Sequence, residues 1–309
     1  PTDEKRLREI GAMDEPLALV CDSTNAMREG VSPGEGDVAE SLEKLMLEAP
    51  NRIAVTIFAS NVGRMISIAR AAQKAGRHVV ASGRAIHRTS EIARDLGLFD
   101  GIEPFLDQDA FGYLPREKVC LICTGSQGES RAAMARIARD DHPVLTLNKG
   151  DQVIFSSKAI PGNEKDVLDI QNMLINQGVK VITDRDALVH VSGHPRRDEL
   201  RQLYDWLKPH VLVPVHGEAA HLEAQAELGR EAGVETVMSI RNGDMALLYP
   251  KPERLVDEVP HGRLYLDGDI LCTPDESGVR ERRKLSFGGY IAISLVIDGK
   301  GQMRDAPQV

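Results

Sequence analysis

Short apolar runs alternate with amphipathic stretches along the chain up to about Met245. Residues 16–23 (PLALVCDS) and 52–60 (RIAVTIFAS) are typical of buried strands that open into polar loops. Between them, Val38 and Leu42 fall on one face of a helical pattern, and strand and helix then repeat. A helix between successive strands makes the strands parallel and covers both faces of their sheet. The sequence therefore predicts an α/β fold, with a parallel sheet flanked by helices.

The pattern changes after this point. ALLYP, RLYLDG and YIAISLVIDG are short β-type runs with glycine turns and no helical pattern between them. A proline cluster indicates a linker over residues 251–262, and residues 263–309 are predicted to be the start of a small β-rich C-terminal domain. Because the chain begins at Pro1 without a methionine and ends in what reads as an unfinished hairpin, we expect a fragment of a longer protein.

The composition limits the classes of protein that the chain can belong to. With 309 residues, 42% apolar and 28% charged, it can bury two cores and does not resemble a disordered chain. No apolar run approaches the roughly 20 residues of a membrane helix, and no secretory signal is visible. We therefore predict a cytoplasmic protein with no membrane partner. A net charge of −9 argues against a nonspecific nucleic-acid binder but leaves room for a local basic channel.

Cysteine usage points to a reducing compartment. Four cysteines in a chain of this size do not form a disulfide framework. Cys120 and Cys123 have the spacing of a redox pair, but they lie in the apolar run KVCLIC, which is typical of a buried strand. We favour core cysteines over metal or redox chemistry at this pair.

Polar loops of one kind follow the predicted strands. They are rich in glycine and small hydroxyl residues, which expose backbone N–H groups. Such loops meet at the carboxyl edge of a parallel sheet, where helix N-termini suit phosphate oxygens. The loops are CDSTN (21–25), FASN (58–61), CTGSQGE (123–129), FSSKAIPGNE (155–164), HVSGH (190–194) and PVHGE (214–218). Each one alone fits helix capping, but together they favour an anionic ligand.

The stretch from His190 to Glu218 concentrates the reactive side chains. His190 and His194 flank a small-residue turn, and the apolar run VLVPV leads to His216 beside Gly217. A strand that ends on a histidine next to glycine is a common way to direct an imidazole into a cleft. One such histidine is more often structural, but two glycine-flanked turns in one stretch favour a functional pair.

Several common sites do not fit these loops. GSQGE lacks the lysine of a P-loop and the GxGxxG spacing of a dinucleotide site. A Ser–His–Asp hydrolase would need a GxSxG turn after a strand, which the sequence lacks. Arg196 and Arg197 fit either a phosphate contact or the solvated first turn of a helix.

The ordered motifs carry a family resemblance. LALVCDSTNA, IFASN, CTGSQGE, FSSKAIPGNE, VHVSGH and VPVHGE, in this order, resemble the ribonuclease J family of the β-CASP metallo-β-lactamase superfamily. The resemblance implies a cytoplasmic enzyme with two Zn²⁺ ions and with 5′→3′ exonuclease and endonuclease activity on RNA. It also implies single-stranded RNA with a 5′-monophosphate end as the favoured substrate, and a homodimer or a dimer of dimers.

The resemblance further implies a β-CASP domain inserted in a partial metallo-β-lactamase αββα fold. On this basis the chain is predicted to divide into residues 1–34 (metallo-β-lactamase segment), 35–194 (β-CASP domain), 195–250 (metallo-β-lactamase return segment), 251–262 (linker) and 263–309 (truncated start of the C-terminal domain).

Functional residues of the family carry over to matching positions. Asp22 resembles the acidic residue of the first β-CASP motif and is expected to orient a histidine. His194 matches the second-motif histidine, which would contact the scissile phosphate and could protonate the leaving oxygen. His216 matches the third-motif histidine, which would bind one Zn²⁺. The predicted phosphate- and RNA-contacting residues are Ser60, Asn61, His190, Val191, Ser192, Gly193 and His194.

The sequence departs from the family pattern in two ways. Lys158 stands where the SSRxIPGNE form has arginine, which keeps the charge but loses the bidentate fork. The HxHxDH zinc motif, the next metal histidine and the bridging aspartate do not carry over, so His216 is the one matched metal ligand. Because a zinc site needs three or four protein ligands, we expect no stoichiometric zinc binding and no nuclease activity from this chain alone.

Two other functions stay open on the sequence. One is a non-catalytic RNA-binding or regulatory β-CASP module. The other is a β-CASP DNA nuclease, which the motif CDSTN disfavours because those relatives have the form ESTYG.

Overall fold

Helices alternate with strands in the computed structural model, which describes residues 2–308 except for the side chains of residues 253–255 and 279–280. The first elements are α1 (Glu4–Gly11), β1 (Ala18–Asp22), α2 (Glu35–Glu48), β2 (Ile53–Thr56), α3 (Val62–Lys74), β3 (His78–Ser82), α4 (Arg84–Asp95), β4 (Leu106–Asp107), β5 (Val119–Cys123), α5 (Ala133–Ala138), β6 (Gln152–Phe155), α6 (Glu164–Asn176) and β7 (Lys180–Ile182). The later elements are α7 (Arg197–Leu207), β8 (Val211–Val215), α8 (Ala219–Glu231), β9 (Thr236–Val237), β10 (Asp244–Leu247), β11 (Glu253–Glu258), β12 (Tyr265–Asp267), β13 (Ile270–Cys272) and α9 (Val279–Gly288). None of the helices in the described residues has the length and apolar character needed to cross a membrane.

Six strands form a parallel sheet in the order β4-β3-β5-β2-β6-β7. The register is regular, with Ile53 of β2 opposite Cys120 of β5 and Gln152 of β6. Successive strand residues point to opposite faces. Cys120 therefore packs in the core formed with α2 and α3, while Cys123 packs in the core formed with α5 and α6. Both faces are buried, which confirms the predicted parallel sheet flanked by helices and places both cysteines in its interior.

A second, smaller parallel sheet has the order β1-β8-β9. Its strands β1 and β8 pair along their whole length, and Asp22 lies opposite Val215. Helices α7 and α8 contribute Leu200, Tyr204 and Leu228 to the small core beside this sheet. The entire six-stranded sheet lies between β1 and β8 in the sequence. The chain therefore leaves the smaller sheet after β1 and returns to it at β8.

The C-terminal part differs from the sequence-based expectation. Strand β11 pairs antiparallel with β10 and lies inside residues 251–262, the predicted linker. Helix α9 occupies a segment for which the sequence predicts no helical pattern, so that prediction was wrong. It relied on apolar periodicity, whereas α9 (VRERRKLSFG) is rich in Arg, Glu and Lys, which favour a helix through intrinsic propensity. The run at residues 290–299 forms isolated antiparallel bridges, such as Ser294 with Gln308.

Candidate active site

The candidate site is built from loops that follow β1, β7 and β8. Asp22 is the last residue of β1, and His216 comes directly after the last residue of β8. Because β1 and β8 are parallel neighbours, both residues lie at the same edge of the smaller sheet. His194 arrives in the loop after β7, from the carboxyl edge of the six-stranded sheet.

One carboxylate oxygen joins the two histidines. Asp22 Oδ2 lies 2.9 Å from His194 Nδ1 and 2.8 Å from His216 Nδ1. The two imidazole rings are stacked, with their centroids 5.5 Å apart and their planes at 22°. An ionised carboxylate accepts hydrogen bonds and donates none, so His194 Nδ1 carries the proton in its hydrogen bond to Asp22. His216 Nδ1 lies within ion-pair distance of the same oxygen and forms its hydrogen bond with the Thr24 hydroxyl at 3.0 Å; because that hydroxyl donates to the His216 carbonyl, His216 Nδ1 carries its proton as well. The Nε2 atom of each ring then remains available as an acceptor or as a metal ligand.

The protonation state of Asp22 supports this assignment. Burial raises the pKa of the carboxyl group, but hydrogen bonds from the Thr24 backbone N–H and from His194 outweigh the effect of burial. The pKa of Asp22 therefore lies below its usual value. The Thr24 N–H donates to Asp22 Oδ1 at 2.8 Å, which leaves Oδ2 to the histidines. Asp22 is thus an anion at neutral pH.

The backbone of His216 is held in a conformation that is uncommon for a side-chain-bearing residue. Its φ is +58°, in the left-handed region. The Thr24 hydroxyl donates to the His216 carbonyl at 3.0 Å and lies 3.0 Å from His216 Nδ1. At Gly217, a Cβ would meet the Cβ of His221 at 2.8 Å and that of Ser23 at 3.4 Å. The turn that presents His216 therefore depends on the Thr24 contacts and on a glycine in the next position.

The loop that carries His194 is fastened to the loop after β1. The Asn25 side-chain amide donates to the His194 carbonyl at 2.8 Å and to Ser192 Oγ at 3.1 Å. Ser192 Oγ in turn accepts from the His194 backbone N–H at 3.3 Å. The Ser32 hydroxyl also donates to the His194 carbonyl, at 3.4 Å. These contacts fix His194 relative to Asp22.

The other predicted contact residues do not join this cluster. Asn61 caps α3, because its side-chain oxygen accepts from the Arg64 N–H, and the neighbouring Ser60 is exposed. Val191 packs against the core of the six-stranded sheet. The space where Gly193 would carry a Cβ is open.

His190 and Lys158 also lie outside the cluster. His190 Nδ1 is buried and has no hydrogen-bond partner among the described residues. Burial, with the nearby Arg64 charge, lowers the pKa of His190 below its usual value. Lys158 is exposed, and its backbone carbonyl accepts a hydrogen bond from the Gln127 side chain at 3.0 Å.

The sequence reasoning missed Arg64, a buried cation behind the site. Its guanidinium pairs with Glu35 and donates to the Val189 carbonyl at 2.7 Å and to Ser156 Oγ at 2.5 Å. Its side chain is 1% exposed. Val189 immediately precedes the predicted phosphate loop, so Arg64 ties that loop to the end of β6. The sequence carried one sign that Arg64 is buried: it lies in helix α3 one turn before Ile68, which is also buried.

Sequence reasoning also missed a buried polar network beneath Asp22. The Ser23 hydroxyl donates to the Gln225 side-chain oxygen, and the Gln225 amide donates to the Tyr204 hydroxyl at 3.1 Å. Ser23 and Gln225 are fully buried. Burial raises the pKa of Tyr204, so its hydroxyl stays neutral. The network anchors the residue next to Asp22 to helices α7 and α8.

The donor set of the cluster fits zinc. Asp22, His194 and His216 form a group of described residues whose ligand atoms all lie within 4.8 Å of one another. Imidazole nitrogen and carboxylate oxygen are donors that zinc uses. In zinc sites a ligating histidine commonly donates its other N–H to a carboxylate. His216, with Nδ1 against Asp22 and a side chain that is 67% exposed, matches that arrangement.

Comparison with known families identifies two regions of the chain. Residues 50–174 match the family described as "Ribonuclease J, beta-CASP domain". Residues 178–239 match the family described as "Zn-dependent metallo-hydrolase RNA specificity domain".

Curated relatives match along the whole chain. It is 54% identical over 308 residues to ribonuclease J of Sinorhizobium meliloti, covering 100% of this chain and 54% of the relative. It is 40% identical over 314 residues to ribonuclease J of Corynebacterium glutamicum, covering 100% of this chain and 44% of that relative. The chain thus spans about half the length of the curated relatives it matches.

The fold also matches a solved structure. A crystal structure of a protein of unknown function from Enterococcus faecalis V583 superposes with a TM-score of 0.51 at 15% identity, over 77% of this chain and 52% of that one. At this identity the likeness concerns the fold alone. The sequence matches and the two family regions decide the family: this chain belongs to the ribonuclease J family of β-CASP metallo-hydrolases.

Proposed function

We propose that this chain is the β-CASP-bearing part of a zinc-dependent ribonuclease that hydrolyses phosphodiester bonds of single-stranded RNA. The observation that carries the proposal is the Asp22 carboxylate, which holds Nδ1 of His194 at 2.9 Å and Nδ1 of His216 at 2.8 Å. Membership of the ribonuclease J family supports it. The finer activity we propose is 5′→3′ exonuclease and endonuclease cleavage, with a 5′-monophosphate end favoured.

Each residue of the cluster has a separate role in this proposal. His216 would hold zinc through Nε2, because Nδ1 is engaged by Asp22. Asp22 fixes the tautomer and orientation of both rings. His194 would act as a general acid in its doubly protonated form: Nδ1–H donates to Asp22, which stabilises the positive charge of that imidazolium, and Nε2–H would contact the scissile phosphate and pass its proton to the leaving oxygen, so that the ring ends neutral. When bound, zinc supplies a Lewis acid and lowers the pKa of water near the phosphate.

The loop before His194 is the proposed binding site for the substrate phosphate. Gly193 leaves its backbone open to close approach, since nothing lies within 4 Å of a Cβ placed there. Ser192 is held by Asn25 at 3.1 Å, so its hydroxyl has a fixed position. His190, Val191, Ser60 and Asn61 complete the proposed RNA-contacting set, and they stay predictions.

The wider assignments are also proposals. We propose a cytoplasmic protein that acts as a homodimer or a dimer of dimers. We keep the division into residues 1–34, 35–194, 195–250, 251–262 and 263–309. The pairing of β1 with β8 supports an insertion between the first and third of these segments, because the six-stranded sheet separates them in sequence.

The test uses the full-length gene product with zinc. It is incubated with a 5′-monophosphorylated single-stranded RNA and with DNA of the same sequence, in parallel with the variant His194→Ala. We expect cleavage of RNA but not of DNA, and loss of cleavage in the variant while its zinc content stays close to that of the wild type.

Other results would replace the proposal. RNA binding without cleavage by the zinc-loaded wild type would favour the non-catalytic RNA-binding module. Cleavage of DNA in preference to RNA would favour a DNA nuclease. Undiminished turnover of His194→Ala would remove His194 from the mechanism.

A further inference from the structure

A second cavity opens at the carboxyl edge of the six-stranded sheet, away from Asp22. Its volume is about 610 Å³, and its walls come from the loops after β3 and β5 and from the first turns of α4 and α5. A cavity of this size accepts a phosphate group or a nucleotide. None of the residues of the Asp22 cluster lines it.

Two arginines at this cavity make no ion pair with any described residue. Arg84 and Arg131 line it, and neither makes an ion pair or a side-chain hydrogen bond with any described residue. Arg136 also lines it and is paired with Asp141 at 3.6 Å. The carboxylate in the lining, Asp107, accepts from the Asp109 N–H at 3.2 Å and caps the short 3₁₀ helix that follows. With Arg136 balanced by Asp141, the charges of Arg84, Arg131 and Asp107 sum to +1, so the lining keeps a net positive charge.

Neutral donors add to the two arginines. Gln108 accepts from the Ser82 hydroxyl through its side-chain oxygen at 3.2 Å, which leaves its amide N–H groups free. Helix α4 begins at Arg84 with no side-chain cap, so its first N–H groups also face the edge of the sheet without a protein acceptor among the described residues. Uncapped N–H groups and guanidinium groups together bind phosphate oxygens.

His142 is fixed as a donor in the same wall. Its Nδ1 accepts from the backbone N–H groups of Val144 at 3.3 Å and Leu145 at 3.1 Å. The ring proton therefore lies on Nε2. Burial, with the nearby Arg136 charge, lowers the pKa of His142, so the ring is neutral at neutral pH. His142 Nε2–H can donate a hydrogen bond at this wall. Because the ring is neutral, this contact does not require a second negative charge on the ligand.

The position of the cavity relates it to the Asp22 cluster. Strand β3 lies four strand positions from β7, whose loop carries His194, and both loops leave the same edge of the parallel sheet. At about 4.8 Å per strand, β3 and β7 themselves lie about 19 Å apart. A single strand of a few nucleotides can span that distance along the edge.

The geometry points to this cavity as a remote phosphate subsite, in which Arg84 and Arg131 bind the backbone of the RNA strand whose scissile phosphate lies at His194. The inference rests on the proposed function, because it takes RNA as the substrate. Its chemistry is that of guanidinium groups and helix N–H groups on phosphate oxygens, without readout of the bases.

The test compares two charge-matched double variants of the 309-residue chain. Arg84→Gln/Arg131→Gln removes the two cavity arginines. Arg70→Gln/Arg88→Gln removes two exposed arginines that have no partner among the described residues and lie outside the cavity lining. Binding of a 5′-phosphorylated trinucleotide and of a decanucleotide is measured over a range of salt concentrations. The ring signals of His87 and His142 are followed by NMR during a titration with inorganic phosphate.

We expect the cavity variant to bind the decanucleotide about tenfold more weakly than the control variant, with the salt slope reduced by about 0.7 for each phosphate that the variant no longer neutralises. Trinucleotide binding should match the control. Phosphate should shift the two histidine signals in the wild type and not in the cavity variant. Circular dichroism should give the same melting curve for both variants.

Three results would overturn the inference. One result is that the cavity variant matches the control variant in decanucleotide affinity and in salt slope, while phosphate still shifts the histidine signals of the wild type. The cavity then binds free phosphate and not the RNA strand. If phosphate also causes no shift, the cavity is not an anion site. If the wild type binds neither RNA, the proposed function fails together with the inference, whereas retained trinucleotide binding confines the failure to the subsite.

Discussion

The two parallel sheets meet at one site but are covered very differently. In the six-stranded sheet, strands β2 and β5 are buried along their whole length between two large apolar cores. In the three-stranded sheet the cores are small, and Val20 in β1 is 56% exposed. His194 follows the deeply buried six-stranded sheet (the larger body), while Asp22 and His216 follow strands of the three-stranded sheet (the smaller body) and are held by hydrogen bonds of Thr24 in the loop after β1. Changes in the larger body should therefore reduce stability, and changes in the smaller one should mainly disturb the histidine pair.

The largest expected effect comes from Arg64 in the larger body. Arg64→Met leaves Glu35 without its cation and removes one of the two donors to the Val189 carbonyl, the other being the Ser156 hydroxyl at 2.6 Å. Removing one partner of a fully buried ion pair costs about 3–5 kcal/mol, and because Glu35 is 38% exposed and water screens part of its charge, we expect the lower end of that range, about 3 kcal/mol. Urea denaturation should show this loss, and Arg70→Met, an exposed site on the same helix, should stay within about 0.5 kcal/mol of the wild type. Equal midpoints for the two variants would contradict the role given to Arg64.

A smaller effect is expected at Gly217, in the turn that presents His216. Gly217→Ala places a Cβ at 2.8 Å from the Cβ of His221 and 3.4 Å from that of Ser23, so the turn must shift. Overpacking of this kind costs about 1–3 kcal/mol. Gly36→Ala is the matched control, because nothing lies within 4 Å of a Cβ there. Thermal melts of the two variants test the difference, and a Gly217 variant as stable as the control would show that the turn is not constrained.

At Thr24 we expect about 1 kcal/mol from the loss of one hydroxyl. Thr24→Val removes the donor to the His216 carbonyl, and Thr24→Ser keeps it. Chemical denaturation should separate the two variants by about that amount, and the His216 ring signals should move in Thr24→Val alone. If both variants moved them equally, the hydroxyl would not be what holds the His216 turn.

The smallest effect concerns thiol reactivity, which compares Cys120 and Cys123 in the six-stranded sheet with Cys21 in the three-stranded sheet. Burial raises the pKa of Cys120 and of Cys123 to about 12, and burial also raises the pKa of Cys21. The reactive form is the thiolate, so these three thiols should resist Ellman's reagent in the native chain. Cys272, which is half-buried, should react first, and Cys21 second. Rapid reaction of Cys120 or Cys123 would mean that the six-stranded sheet opens more readily than its core indicates.

Periodicity and loop chemistry in the sequence were sufficient to predict the larger sheet. Apolar runs of strand length, each followed by a helical pattern, predict parallel strands, and the structure confirms them. Helix α9 could not be found in the same way, because its residues follow no apolar period and form a helix through propensity. Apolar periodicity therefore predicts an element well where the element packs against a core, and it fails where intrinsic propensity forms the helix.

The candidate site was accessible from the sequence in part. Asp22, His194 and His216 stand at the ends of predicted strands and loops, so their positions could be expected to converge at sheet edges. That Asp22 Oδ2 contacts both rings depends on the register of β1 with β8, which the sequence does not encode locally. Arg64 and Gln225 were missed because buried polar residues are read as surface residues until the partners that satisfy them are known.

Asp22 couples a histidine from each body, and the protonation of the ring nitrogens of His194 and His216 reports that coupling. Long-range ¹H–¹⁵N NMR on the chain in the presence of a chelator reports which nitrogen of each ring carries the proton. We expect the proton on Nδ1 in both rings of the wild type, with both patterns changing together in Asp22→Asn. Protons on Nε2 in both wild-type rings, or an Asp22→Asn spectrum identical to the wild type, would contradict the account.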